Sequence, residues 1–426
     1  MPEKLINDLI AGNLKKPETG ESIKIPIRKI LIGSGVIKQI LSLLSELNFP
    51  KRISIISDDN THLAAGAEIE RMLCKDYEVS SVVLPPDLQP DERNIELLHA
   101  YTSASEAYIA VGGGTISDIV KYNSFQQKKP YICFPTCPSV NGFTSSTSSL
   151  IISGYKKSVQ ATLPKAIIAD TDILVQAPER LIITGLGDCM ARPTAQADML
   201  LSHHILGTAY NKYLFDIQND YEKELFENVN LLAKRSFTAI ENLMSLLLVS
   251  GLSMHISGSS QTASGSEHLI AHYMEMMFDG KYPHIYHGEQ IAVTSITAAK
   301  IQESLLAKEL IEIKPIYYQE KPILKKFGEK LGKRFLDEVI KKNITEENAG
   351  KLNQKFKENW KDIRQQILDI HISSEKLEEI IKSIKGPFTY KHLTWEHKDY
   401  DEAINQCALT RDRFTFLDLA MIVRQN

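Results

Sequence analysis

Residues 107–122 read AYIAVGGGTISDIVKY. A short apolar run, three glycines and then a 3.6-residue apolar period describe a strand, a tight turn and a helix start. The same alternation continues on both sides. Apolar runs at 29–32, 52–57 (RISIIS), 79–84 (VSSVVL), 107–111, 131–134 (YICF) and 166–169 (AIIA) predict strands. The segments 36–47, 63–74, 92–103 and 117–127 between them predict helices. Strands that alternate with helices form βαβ units around a parallel sheet, whose strands are covered on both faces and so are apolar throughout. Residues 150–152 and 157–160, on either side of Gly154, predict a small hairpin.

After Pro178 the helical period takes over. Segments 179–184, 188–210, 221–250, 266–278 and 288–305 predict helices. The expected architecture is therefore an α/β N-terminal domain over residues 1–177 and an all-α C-terminal domain over 178–426. Residues 321–385 are rich in Lys, Glu and Ile but do not sustain a heptad, which predicts charge-laced surface helices rather than a coiled coil. No internal repeat is visible.

The chain has 426 residues, with 49 Lys+Arg against 53 Asp+Glu and a net charge of -4. That balance argues against a nucleic-acid partner or an anionic membrane surface, both of which favour a basic face. The longest apolar stretches, such as 245–254, fall short of the ~20 residues of a membrane span. The first twenty residues lack the apolar core and cleavage site of a secretory signal. Five scattered cysteines, Cys74, Cys133, Cys137, Cys189 and Cys407, fit a reduced cytoplasmic protein better than a disulfide framework. Cys133 and Cys137 lack the second pair that a zinc ribbon needs.

Three elements of the first half have ligand-binding character, each with a structural alternative. Gly112, Gly113 and Gly114 let a backbone approach a pyrophosphate, and the following helix start offers N–H groups and a positive dipole end. Equally, they form a tight turn with no ligand, and they do not spell G-x-G-x-x-G. Asp58, at a strand tip, can hydrogen-bond a ribose or simply cap the next helix. Residues 134–149, FPTCPSVNGFTSSTSS, leave a buried strand with many hydroxyls, either as a flexible loop or as a donor-rich ligand loop.

In the second half Asp188 follows a glycine-rich break in TGLGDCMAR and is read as opening a helix. His268 and His272 lie one helical turn apart in SGSEHLIAHYMEM, and His287 precedes Gly288 in PHIYHGEQIAV. One carboxylate and two imidazoles can hold a divalent ion with a position open for substrate. The alternatives are an N-cap, satisfied core histidines and a surface loop residue. The order E-H-x-x-x-H is not the H-E-x-x-H of zinc proteases.

In order and spacing, GGGTISD (112–118), FPTCPSVNGFTSS (134–146), IIADTDILVQAPERLIITGLGD (167–188), SGSEHLIAH (264–272) and HGEQIAV (287–293) resemble the sn-glycerol-1-phosphate dehydrogenases. Those belong to the iron-type alcohol dehydrogenase and dehydroquinate synthase-like superfamily. The resemblance implies a dehydroquinate synthase-like fold, with a dinucleotide-binding domain, a helical metal-binding domain and a catalytic cleft. It implies that Asp188, His268 and His287 bind the metal, and that Gly112, Gly113, Gly114, Thr115 and Ile116 hold the cofactor pyrophosphate. Asp58 then falls on the adenosine side, and Thr136, Ser139 and Ser145 on the nicotinamide side. Asn141, Asp188, Arg192 and His272 fall at substrate positions, with His272 and Asp188 catalytic. Two positions depart from the family pattern: Asn141 replaces an Asp, and Arg192 replaces a Lys.

The activity implied is reversible, NAD(P)H-dependent and metal-dependent reduction of dihydroxyacetone phosphate to sn-glycerol 1-phosphate, a step of phospholipid metabolism. Zinc, nickel or iron suits the donor set, with zinc preferred, and the cofactor is NAD or NADP. Arg192, with Lys165 behind it, is the candidate phosphate partner. A homodimer or larger assembly in the cytoplasm, without a membrane span or nucleic acid, completes the expectation. Competing readings are a polyol or glycerol dehydrogenase acting on an unphosphorylated substrate, and a sugar-phosphate cyclase of the dehydroquinate synthase type.

Overall fold

The computed structural model describes residues 2–16, 19–152 and 155–423. The six expected strands form one parallel sheet. They are β1 (Lys29–Gly33), β2 (Arg52–Asp58), β3 (Glu78–Leu84), β4 (Ala107–Gly112), β5 (Tyr131–Pro135) and, after a hairpin, β8 (Ala166–Asp170), in the order β1-β8-β5-β4-β2-β3. Strands β4, β5 and β8 are buried at every position, as a sheet covered on both faces requires, whereas the edge strand β3 is exposed in part. Strands β6 (Thr147–Ile152) and β7 (Tyr155–Gln160) pair antiparallel as the expected hairpin, although Gly154 lies outside the described residues.

The chain divides into two compact units, one of Met1–Cys189 with Tyr213–Ser260, the other of Met190–Lys212 with Gln261–Asn426. The change of pattern after Pro178 marks where strands give way to helices. The compact units are drawn elsewhere, because the helix of 179–189 packs on the helix of 237–257 and on the turn at 141–144, and the helix of 237–257 in turn meets β1.

In the first unit, helix α1 (Gly114–Gln127) follows the glycine turn directly. It starts three residues earlier than expected, so Asp118 lies in its second turn. Helix α2 (Glu179–Cys189) runs straight through Gly185 and Gly187, and Asp188 therefore closes a helix rather than opening one. Gly185, part of what read as a break, is a packing residue. A Cβ at Gly185 would overlap the Pro138 carbonyl.

The expected helix at 221–250 is interrupted around Asn228 and again before residue 237, where Arg235 takes a left-handed φ of 56°. The chain then enters α4 (Phe237–Ser257), 21 residues long and apolar enough by length and composition to cross a membrane. Of its most apolar window, 78% is buried in the fold, which marks it as a core helix. Gly251 lets it approach the short turn Asn141–Thr144, where any Cβ would meet Thr144 Oγ1 and the Asn141 carbonyl.

The second unit is helical. Helices α3 (Ala191–Leu206), α5 (Ser266–Met277) and α6 (His287–Leu306) pack against one another. A cluster around Trp360, Phe356 and Phe416 fills one side, and a cluster around Tyr273, Phe327 and Trp395 another. The charge-laced segment supplies Glu320–Val339, bent at Gly328 (φ 74°, ψ 170°), then Glu346–Leu368 and Ser374–Ser383.

Two glycine substitutions separate packing from propensity. Gly185→Ala should cost about 3 kcal/mol or more, since the added methyl meets backbone. Gly350→Ala, exposed in a helix with nothing near the new methyl, should stabilise by about 1 kcal/mol. Urea unfolding of both variants checks the pair.

Candidate active site

Strands β2 and β4 are neighbours, yet the chain leaves β2 for β3 on one side and returns to β4 on the other. In an open parallel sheet such a reversal opens a crevice at the carboxyl ends of the strands, where ligands bind. Asp58 ends β2, Gly112 ends β4, and Gly112 is in register with Pro135 of β5. The Thr136 N–H donates to the Gly112 carbonyl at 3.2 Å. One edge thus carries Asp58, the glycine turn and the start of the hydroxyl-rich loop.

The turn is shaped by close contacts. A Cβ on Gly112 would lie 2.8 Å from Ile116 Cβ, one on Gly113 3.2 Å from Cys137 Sγ, and one on Gly114 3.1 Å from Val140 Cγ2. No side chain caps α1 at Gly113, and an uncapped helix start offers backbone N–H groups to an anion. Thr115 is exposed and Ile116 buried. Asp58 is a helix N-cap: its Oδ1 accepts the Thr61 N–H at 2.8 Å, and Thr61 Oγ1 accepts the Asp58 N–H at 2.9 Å.

The loop after β5 is held tightly. Ser139 Oγ accepts from Cys137 Sγ at 3.3 Å, and Ser145 Oγ lies 3.0 Å from Thr147 Oγ1. The Asn141 N–H donates to Asp188 Oδ2 at 2.7 Å, and Asn141 Nδ2 reaches Ser250 Oγ at 3.4 Å. Lys121, wholly buried on α1, donates to the Gly142 carbonyl at 2.7 Å and to the Thr147 carbonyl and Asp118 Oδ1 at 3.0 Å each. Burial pushes the Cys133 and Cys137 thiols up to about 12 and about 11, so both are neutral packing residues. Lys165 does not join this edge. It is exposed at the amino end of β8, opposite the glycine turn, which removes it as a partner for a ligand bound there.

In the second unit α5 carries His268 in its first turn and His272 one turn later. His287 opens α6, where the Glu289 carboxylate accepts the Tyr286 N–H and fixes the helix start. The Nε2 atoms of His268 and His287 are 3.3 Å apart. Two imidazole nitrogens each ~2.0–2.1 Å from a tetrahedral ion lie about 3.3–3.4 Å apart, so the pair has metal-ligand spacing. The His272 ring stacks on His287 with centroids 5.6 Å apart, and its Nδ1 lies 3.1 Å from Glu275 Oε2. Gln290 Nε2 donates to the other Glu275 oxygen at 3.2 Å. Arg192 is buried on α3 and donates to Gln196 Oε1 at 3.0 Å.

Sequence reasoning passed over the groups behind His268. Glu267, wholly buried, lies 2.9 Å from His268 Nδ1 and accepts the Thr194 hydroxyl at 2.8 Å. Asp198 accepts the Ser266 N–H at 2.6 Å, its hydroxyl at 2.7 Å and the Phe416 N–H at 2.9 Å. Lys121 and Glu275 were missed as well. The only sequence signal for them was charge at helical spacing from a motif residue: Asp118 to Lys121, and His272 to Glu275.

A model of the family described as iron-containing alcohol dehydrogenase matches residues 31–178. Among solved structures, a probable glycerol dehydrogenase from Sinorhizobium meliloti 1021 shares the fold, with a TM-score of 0.62, 15% identity, and 93% of this chain and 96% of that one covered. The sheet and its glycine turn lie in the segment matched by that family model, and the fold is that of the structural neighbour. The glycerol-1-phosphate dehydrogenase [NAD(P)+] of Bacillus subtilis (strain 168) is 34% identical over 283 residues, 65% of this chain and 72% of the relative. The enzyme of the same name from Bacillus licheniformis is 28% identical over 399 residues, 92% and 88% of the two chains. The chain belongs to the glycerol-1-phosphate dehydrogenase family.

The buried carboxylates make stability depend on pH. Desolvation, then the charge of Glu267, raises Asp198 from 3.8 to about 7. Desolvation works the same way on Glu267, but the hydrogen bond and charge of His268, with the Gly265 N–H and Thr194, outweigh it and hold Glu267 below its usual range. Folded Asp198 keeps a proton that the unfolded chain releases near pH 4. Stability therefore falls as pH rises from about 4 to 7, by up to about 4 kcal/mol at ~1.4 kcal/mol per pK unit. Urea unfolding at pH 5 and pH 8 should show that fall, and Asp198→Asn should flatten it. Equal slopes in both proteins would clear Asp198.

Proposed function

We propose that this chain reduces dihydroxyacetone phosphate to sn-glycerol 1-phosphate, reversibly, with NAD(P)H and one divalent ion. The observation that carries the reading is the His268–His287 pair at ligand spacing, in a chain whose relatives are named glycerol-1-phosphate dehydrogenases. As the family resemblance implies, Asp188, His268 and His287 are the donors that would hold the ion. One hard carboxylate and two imidazoles suit zinc, with nickel or iron as substitutes. The bound ion supplies Lewis-acid polarisation of a ketone oxygen, and the reduced nicotinamide supplies hydride.

The protein's residues do the rest. Glycines 112–114 and the uncapped start of α1 receive the pyrophosphate. Asp58 keeps Oδ2 for a ribose hydroxyl, because its cap uses Oδ1. Thr136, Ser139 and Ser145 line the nicotinamide side on a loop fixed by Lys121. His272, whose Nδ1 lies against Glu275, exchanges the proton with the substrate oxygen through Nε2. Arg192 meets the phosphate, where a guanidinium grips two oxygens at once. Asn141 donates to substrate hydroxyls without adding a second carboxylate beside Asp188. As in the expectation from sequence, the working form is a cytoplasmic homodimer or larger, which light scattering of the purified chain tests.

NADH and NADPH oxidation against a ketone panel tests the reading. Dihydroxyacetone phosphate should exceed dihydroxyacetone, and a chelator should abolish turnover until zinc is restored. Full activity in metal-free protein would refute it. Arg192→Ala should raise KM for the phosphorylated ketone about 10- to 100-fold with a smaller change in kcat, the range expected for a charged hydrogen bond worth about 1.5–3 kcal/mol.

A further inference from the structure

We infer that Glu267 is a positioning residue that fixes the tautomer of His268 and turns its Nε2 toward the metal, an inference resting on the metal-dependent reading above. The carboxylate is wholly buried and every contact found for it is with a donor. One oxygen accepts both the His268 Nδ1 proton and the Gly265 N–H, and the other accepts the Thr194 hydroxyl. An anionic carboxylate at Nδ1 can only accept, so the proton belongs on Nδ1 and the lone pair on Nε2. That is the nitrogen 3.3 Å from His287 Nε2. A carboxylate bound to the far nitrogen of a ligating imidazole also raises its basicity.

The surroundings are built to keep Glu267 charged and in place. Asp198, which would repel it, lies nearby but holds its own proton up to about pH 7. Half-buried Arg413 anchors the turn before Glu267 through the Ser264 carbonyl and hydroxyl, at 2.7 and 2.6 Å. Residue 265 must be glycine, because a Cβ there would crowd Asp198 Oδ2 and Ala195 Cα. The SGSE segment is thus a shaped seat for one carboxylate, and the order E-H in the sequence places it beside the ligand it orients.

Two variants grade the effect. Glu267→Gln keeps an oxygen for Nδ1–H and Gly265, and its amide can donate to Thr194 Oγ1, whose proton turns to the Ala191 carbonyl 2.9 Å away. It removes charge alone. Glu267→Ala removes the acceptor as well. Zinc affinity of the full chain is read by competition with a chromophoric chelator, and the His268 tautomer by nitrogen NMR of metal-free protein. Glu267→Gln should bind zinc about 10-fold more weakly with the tautomer kept, and Glu267→Ala about 100-fold more weakly with the tautomer bias lost. Zinc affinity within twofold of wild type in Glu267→Ala, or in Glu267→Gln should the alanine variant not fold, overturns the inference. A wild-type chain that holds no zinc defeats the metal reading instead. The metal-free tautomer still decides the role of Glu267 in that case.

Discussion

The first unit depends on one close approach, that of the backbone at 138–144 to helices α2 and α4. Gly185 and Gly251 make it possible, since a single methyl at either would overlap a carbonyl or hydroxyl of the loop. With the gap closed, Thr144 Oγ1 donates to the Leu248 carbonyl at 2.7 Å and the Asn141 N–H reaches Asp188. The last turn of α2 is thereby tied to the loop that leaves β5, and the carboxylate of Asp188 has a defined direction. A loop free to move would leave that carboxylate to choose among rotamers, at an entropic cost to any ligand it had to meet.

The same logic governs the buried charges. A buried ion is tolerated only where its lone pairs or protons are met. Lys121 meets two carbonyls and a carboxylate, Lys342 pairs with Asp418 at 2.6 Å, and Glu267 meets three donors. Each fixes a segment that has no regular structure of its own: the loop after β5, the turn before the last helix, and the SGSE segment. Irregular backbone is where ligands are bound, and here it is held by charge rather than by ladders of backbone hydrogen bonds.

Much of the fold was legible in the sequence because its signals are local. Six apolar runs became six parallel strands, and GGG became a strand-to-helix turn at the reversal of sheet order. The histidine spacing in SGSEHLIAH became two rings on one face of α5, with centroids 5.7 Å apart. Glycine was misread where it serves packing. At Gly185 a helix passes through what looked like a break, and at Arg235 a helix stops with no glycine to announce it. Lys165 looked like a second cation for the phosphate, but strand direction puts it at the amino edge of the sheet.

By itself the sequence determined the alternation of strand and helix, the glycine turn, the family motifs and the residue types able to bind a metal. These follow from periodicity and side-chain chemistry, which neighbours along the chain are enough to define. Only the tertiary structure decided that Glu267 faces Nδ1 of His268, that the two Nε2 atoms stand 3.3 Å apart, and that Lys121 reaches carbonyls twenty-one and twenty-six residues away. A hydrogen bond acts over about 3 Å and has a direction, and periodicity carries no information about which distant groups will meet at that range.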